Sequence, residues 1–248
     1  MNYRKQGLKA FGLSFVAVLG LMAFMAVGAQ GAFLYLEGGV TKTLAVESEP
    51  TISAHTPGIL LVEKKNLKLE CKKVESDPTA KVKLLANSTV AHGHLIFKEC
   101  ESWTISPNTL QGKCTPKSTG AAAGEILAGG LAELVLHPAS NTMVLFKPLT
   151  GKPFATIEFP ETCALFEAAN VTGSLLAECG ELKPANTYVG GNCATHRVEQ
   201  LLKSVTQALG ESQGDILKFG ENIALVNGIA AVKFGAPCAL CSWGGDAA

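Results

Sequence analysis

Leu67-Lys68-Leu69-Glu70-Cys71 places an apolar side chain at every second position and a charge between each pair. Successive side chains of a strand point to opposite faces, so Leu67, Leu69 and Cys71 read as the inner face and Lys68 and Glu70 as the wet one. Val82 and Leu84 alternate with Lys81 and Lys83 in the same way. Further strand-like runs are Ile59 to Glu63, Val90 to Glu99, Leu131 to His137, Thr142 to Lys147, Phe154 to Phe159 and Val171 to Ala177. The expectation is a mainly β chain, an antiparallel β-sandwich or two small packed β units, bearing disulfides.

Working outward, Asn227-Gly228 lies between the apolar runs Ile223 to Val226 and Ile229 to Phe234. Asn-Gly supplies the two positive-φ residues of a type I′ turn, so a hairpin is expected there. One segment departs from alternation: Val198, Leu201, Leu202, Val205 and Leu209 recur at helical spacing and admit one short amphipathic helix near 197–209. Residues 111–130, rich in Gly, Ala, Lys, Ser and Thr, read as a long loop or as the boundary between two units.

The 248 residues are 47% hydrophobic and 17% charged, the composition of a chain that buries a core. Lys and Arg number 21 against 21 Asp and Glu, so no basic excess exists to hold nucleic acid by counterion release, and none is expected as a partner. At the N-terminus, Arg4, Lys5 and Lys9 precede an uncharged apolar stretch, Ala10 to Val27, which ends in Gly28, Ala29, Gln30, Gly31 and Ala32. That is the layout of a signal peptide over residues 1–29, cut after Ala29, with 30–248 exported. If uncut, residues 10–29 would anchor the chain in a membrane. Loss of the three basic residues leaves 18 positive against 21 negative side chains, a mildly acidic mature chain.

All eight cysteines, Cys71, Cys100, Cys114, Cys163, Cys179, Cys193, Cys238 and Cys241, follow the signal segment. An even number in an exported chain points to disulfides. Proximity suggests Cys71 with Cys100 and Cys163 with Cys179, although eight cysteines leave the connectivity open. Two of the strands that end in Glu-Cys begin with a glycine, Gly93 to Cys100 and Gly173 to Cys179, a pattern compatible with a duplicated unit or with chance. Cys238 and Cys241 form a CxxC. The Gly-rich remainder after Cys241 is too short for the helix that would lower a redox thiol's pKa, which favours a structural clip over a redox site.

His92, His94 and Glu99 form HxHxxxxE, and His137 with Asn141 forms HxxxN. These resemble fragments of the two metal motifs of the cupins. The resemblance implies one metal ion held by His92, His94, Glu99 and His137. Ala86, Ser106 and Leu134 stand where that family has framing glycines and a proline. Glu99 is also an odd number of residues from both histidines, so an unbroken strand turns it away from them. Gly210-Glu211-Ser212-Gln213-Gly214 matches GxSxG, but no histidine follows His196 to complete the hydrolase order. Asn87-Ser88-Thr89 and Asn170-Val171-Thr172 are N-glycosylation sequons, relevant only in a glycosylating host. Trp103, Trp243, Tyr35 and Tyr188 are few for a sugar-stacking surface.

Leu217 to Gly220 followed by the Asn-Gly run, with scattered cysteines behind a signal segment, resembles uncharacterised secreted bacterial β-rich proteins. The resemblance covers mainly the last third and the signal segment, and implies export and β structure without any functional residue. The expected function is that of a non-enzymatic, exported cell-surface or envelope component, structural or binding, without a cofactor. Self-association through sheet surfaces is one expected mode. The alternatives are a metal-binding protein or enzyme using His92, His94 and His137, and a redox protein using Cys238 and Cys241.

Overall fold

The computed structural model describes residues 33–37, 40–42, 47–86, 88, 90–136, 142–183, 187–191, 199–205, 216–233 and 241–245. Residues 1–29, for which the sequence predicts a signal peptide, lie outside them. The strands are, in order, β1 (Phe33–Glu37), β2 (Val40–Lys42), β3 (Thr51–Ala54), β4 (Gly58–Val62), β5 (Leu67–Ser76), β6 (Lys83–Leu84) and β7 (Val90–Thr104). Then follow β8 (Thr109–Leu110), β9 (Lys117–Ser118), β10 (Ile126–Leu136), β11 (Thr142–Pro148), β12 (Ala155–Glu158), β13 (Ala169–Thr172) and β14 (Leu175–Lys183). The last are β15 (Thr187–Gly191), β16 (Glu199–Val205), β17 (Lys218–Phe219), β18 (Asn222–Ile223), β19 (Leu225–Asn227), β20 (Ile229–Lys233) and β21 (Cys241–Gly245). The chain is mainly β, as the alternation predicts, and its sheets are antiparallel.

The principal sheet runs β19-β4-β5-β7-β10-β11-β14-β16-β20-β3. Its two ends are joined by the chain itself. β3 passes into β4 through residues 55–57 and β19 into β20 through Gly228, and the two bent strands pair along their length. At the bend the His55 and Thr56 N–H groups both donate to the Ile229 carbonyl, at 2.8 and 3.1 Å, and the Ile229 N–H donates to the Thr56 hydroxyl at 2.9 Å. The sheet therefore closes on itself, which removes its edges. β6 continues the place of β5 along β7, so the staves are β3–β4, β5–β6, β7, β10, β11, β14, β16 and β19–β20, eight in chain order.

Three connections leave the same end of this barrel, after β7, β11 and β16. Their strands form a second sheet, β18-β17-β13-β12-β9. Ala155, Ile157, Val171, Leu217 and Phe219 of this sheet pack in one buried cluster with Val62, Leu67, Leu69 and Cys71 of the barrel, so it caps that end. A small third sheet has the order β2-β1-β21.

Two expectations are corrected and a third is refined. Where a helix near 197–209 is expected, Glu199–Val205 is strand β16, paired on one side to β14 and on the other to β20. Backbone pairing along both edges overrides the local spacing, as tertiary context commonly does with propensity. The Asn-Gly hairpin is not formed. β19 and β20 pair with β4 and β3 rather than with each other, Asn227 has no positive φ, and Gly228 serves as a bend laid against Gly58. Within 111–130, Lys117–Ser118 and Ile126 onward are strand, so the irregular stretch is shorter than its composition predicts.

Cys71 and Cys100 face each other across β5 and β7 and are bonded, as their proximity suggested. Cys163 is bonded to Cys114, not to Cys179. The cap brings the first and second connections together there, with the Thr162 hydroxyl donating to the Lys113 carbonyl at 3.3 Å beside the bond. Cys179, fully buried on β14, is also disulfide-bonded.

Candidate functional site

An apolar cavity of about 310 Å³ lies inside the barrel. Its wall is written in the strand phase: Ala91, Gly93, Leu95 and Phe97 from β7, Ile126, Ala128, Gly130 and Ala132 from β10, and Val226, Gly228, Ala230 and Val232 from β19–β20. Each of these sets takes alternate residues, as an inner face must, and His92, Gly129, Leu131, Asn227 and Ile229 between them also border the space. An eight-stranded barrel is just wide enough for large side chains to fill it or for one small ligand to be held. Here the alternate positions carry mostly alanine and glycine, which leaves the space open. Ala155, Ile157, Val171 and Leu217 of the capping sheet close one end, and Pro50, Val82 and Leu84 line the other.

The polar members of the lining are Thr56, Lys73, His92 and Asn227. The Thr56 hydroxyl is committed to the Ile229 N–H, and the Lys73 side chain is 64% exposed and turned outward to the Glu99 carboxylate. Among the described residues no carboxylate lines the space. Outside the wall the charges pair in rows, Lys68 with Glu70, Lys72 with Glu101, Lys98 with Glu75, and Lys147 with Glu133.

The wall changes phase at Glu99. This residue has φ 54°, an uncommon left-handed conformation for a side chain other than glycine. Before it the odd-numbered residues of β7 face the cavity; after it Cys100 and Ser102 are the buried ones. β5 answers with two exposed residues in succession, Lys72 and Lys73. Neighbouring β10 also loses step here, since Phe97 pairs with Ile126 while the Cys100 N–H donates to Gly124, the arrangement of a bulge. The strand is thus broken, but the break sends Glu99 to Lys73, whose ammonium holds its carboxyl below the usual range.

His94 stands instead near Asp77, with Nδ1 3.9 Å from a carboxylate oxygen. Asp77 is nearly buried and accepts from the Thr79 hydroxyl at 2.7 Å and the Thr79 N–H at 2.8 Å. Those bonds hold its carboxyl below the usual range, with a smaller contribution from His94. The His94 ring lies against Gly129 on β10, where a Cβ would come within 2.7 Å of it. His137 lies outside the described residues. Among the described residues no three His, Cys, Asp or Glu side chains are grouped to hold a metal ion.

Cys238, the 210–214 GxSxG and Asn87 also fall outside the described residues, and Cys241 opens β21 opposite Glu37. Asn170 is exposed on β13 and accepts a 2.8 Å hydrogen bond from the Thr156 hydroxyl. The cavity itself was missed in the sequence. Its signal is the run of small residues at alternating positions, Ala91 and Gly93, then Ala128, Gly130 and Ala132, where a filled core would place Leu, Ile or Phe. No family model matches this chain, and no curated protein or solved structure matches it.

Proposed function

We propose that this chain is a non-enzymatic, exported binding protein of the cell surface or envelope that carries a small apolar molecule inside its barrel. The observation that carries the reading is the 310 Å³ apolar cavity. Its apolar lining atoms lack packing partners on the cavity side and so forgo dispersion contacts there. A ligand that fills the space recovers much of that loss.

The distribution of charge supports a barrel whose outer face meets water. Ion pairs lie on the outside of β5, β7, β10 and β11 while the interior is apolar, the reverse of a membrane barrel with its lipid-facing apolar band. Among the described residues no helix is long and apolar enough to cross a membrane. Disulfides on both the barrel and the cap fit an extracellular protein, and the basic and then apolar N-terminus supplies the export signal.

Native mass spectrometry of the protein recovered from its producing cells tests this reading, run before and after organic extraction and with and without reduction. Cleavage near Ala29, oxidised cysteines and a small extractable adduct are expected. An extracted protein that takes up no apolar fluorescent probe would overturn the binding role. A stoichiometric metal ion would replace it with the histidine reading, and a native thiol at Cys238 open to labelling would favour the redox one.

A further inference from the structure

The shape of the cavity narrows the class of occupant. From Ala91 to Phe97 the inner face of β7 advances six residues, about 20 Å of strand or roughly 15 Å along a barrel whose strands tilt by about 40°. The space spans that wall and continues to Ile157 and Leu217 of the cap. It is therefore elongated. An apolar cavity of about 150 Å³ takes one benzene, so about twice that volume holds roughly a dozen carbon atoms. The capped end presents only apolar side chains, and among the described residues the lining holds no carboxylate; Lys73 is turned outward, and His92, opposite Lys83 of β6, stands toward the uncapped end.

We propose that the occupant is a single unbranched alkyl chain of about a dozen carbons. Its terminal methyl sits against the cap near Ile157 and Leu217, and its polar head remains at the opposite end beside Pro50. This rests on the apolar-ligand reading above and specifies it. A free fatty acid, a fatty alcohol and the tail of a larger lipid share this chemistry.

The test is a binding series on the full, disulfide-intact, extracted protein, by displacement of an apolar fluorophore. It uses straight-chain carboxylates and alkanols of increasing length and one rigid fused-ring hydrocarbon of matched carbon number. Affinity is expected to rise about fourfold with each methylene and to level off near a dozen carbons. Carboxylate and alkanol of one length should bind within about threefold of each other, because the head stays outside. Ala128→Leu adds three carbons to the wall where β10 meets the cap, and should move the levelling point about three carbons shorter. Ala91→Leu, toward the other end, gives the same shortening if the first variant folds poorly. Tighter binding of the rigid ring, or affinity that ignores chain length, would overturn the alkyl-chain assignment and leave the apolar-ligand reading standing. Failure of every probe would overturn both.

Discussion

Asn66 shows how much of this fold hangs on single side chains. It lies between β4 and β5 with φ 50°, and its amide oxygen accepts from the N–H groups of Ile105 at 3.0 Å and Ser106 at 2.8 Å, while its amide nitrogen donates to the Ser106 carbonyl at 3.0 Å. Asparagine is the side chain other than glycine best suited to a left-handed backbone, and here it also clamps the far end of β7. Asn66→Ala should lose about 2–3 kcal/mol, from those bonds and the strained backbone together, read as a lower urea midpoint with an unchanged slope. Asn66→Gly relieves the backbone alone and should recover only part of that. Asp77 acts through charge. Its folded pKa is depressed by the Thr79 bonds, so its contribution is complete above the unfolded value near 4 and fades as pH falls through the folded one. The stability gap between the wild type and Asp77→Asn should therefore be widest near about pH 7 and shrink toward about pH 3. A gap that widens with acid would show that the carboxylate is not the form the Thr79 turn holds. Neither role was legible in the sequence, because both depend on partners that the fold supplies.

Strand interiors were legible and strand neighbours were not. Leu67, Leu69 and Cys71 are buried as their alternation requires, and the pairing of Cys71 with Cys100 follows from two strands joined by a short excursion. Alternation is a local property, whereas the identity of the strand alongside is settled tens or hundreds of residues away. Asn227-Gly228 therefore became a bend, because β4 and β16 bind β19 and β20 more extensively than the two could bind each other. The helical spacing in Glu199–Val205 yielded to two ready-made edges for the same reason. Gly93 is the element-scale counterpart, a small residue inside a fifteen-residue strand. A Cβ there would stand 2.5 Å from the Val82 Cα and 2.6 Å from the Lys81 carbonyl oxygen. Backbone cannot swing aside as a side chain can. Gly93→Ala should therefore push β6 off β7 and cost about 2 kcal/mol or more, with faster amide exchange at residues 81–84 and little change at the Cys71–Cys100 end of the same strand. Uniform loss of protection along β7 would instead mean that the strand opens as one unit.

At the scale of the molecule, the barrel and its cap are built from alternating parts of one chain. Each capping connection leaves a stave and returns to the next, so the order of elements along the sequence hides both structures. Residues 111–130 illustrate this, since their composition reads as a long loop or a boundary between units and yet they include the start of a barrel stave. What the sequence does show is the material of the two parts: small residues in strand phase for the barrel wall, and cysteines outside the strands for the cap. Cys114 and Cys163 tie the first two connections across 49 residues, a closure that the chain-entropy account values at roughly 4 kcal/mol. The bond sits beyond the barrel, so its loss should act on the cap first. Replacing both cysteines with serine should lower overall stability by about 2–4 kcal/mol and raise hydrogen exchange at Ala155–Glu158 and Ala169–Thr172 well before β5 and β7 respond. Because the cap forms the closed end of the cavity, the same variant should release a bound apolar probe faster than the wild type does. Equal acceleration of exchange in barrel and cap would show that they unfold together. The cap would then be part of the core rather than a separable lid on the ligand.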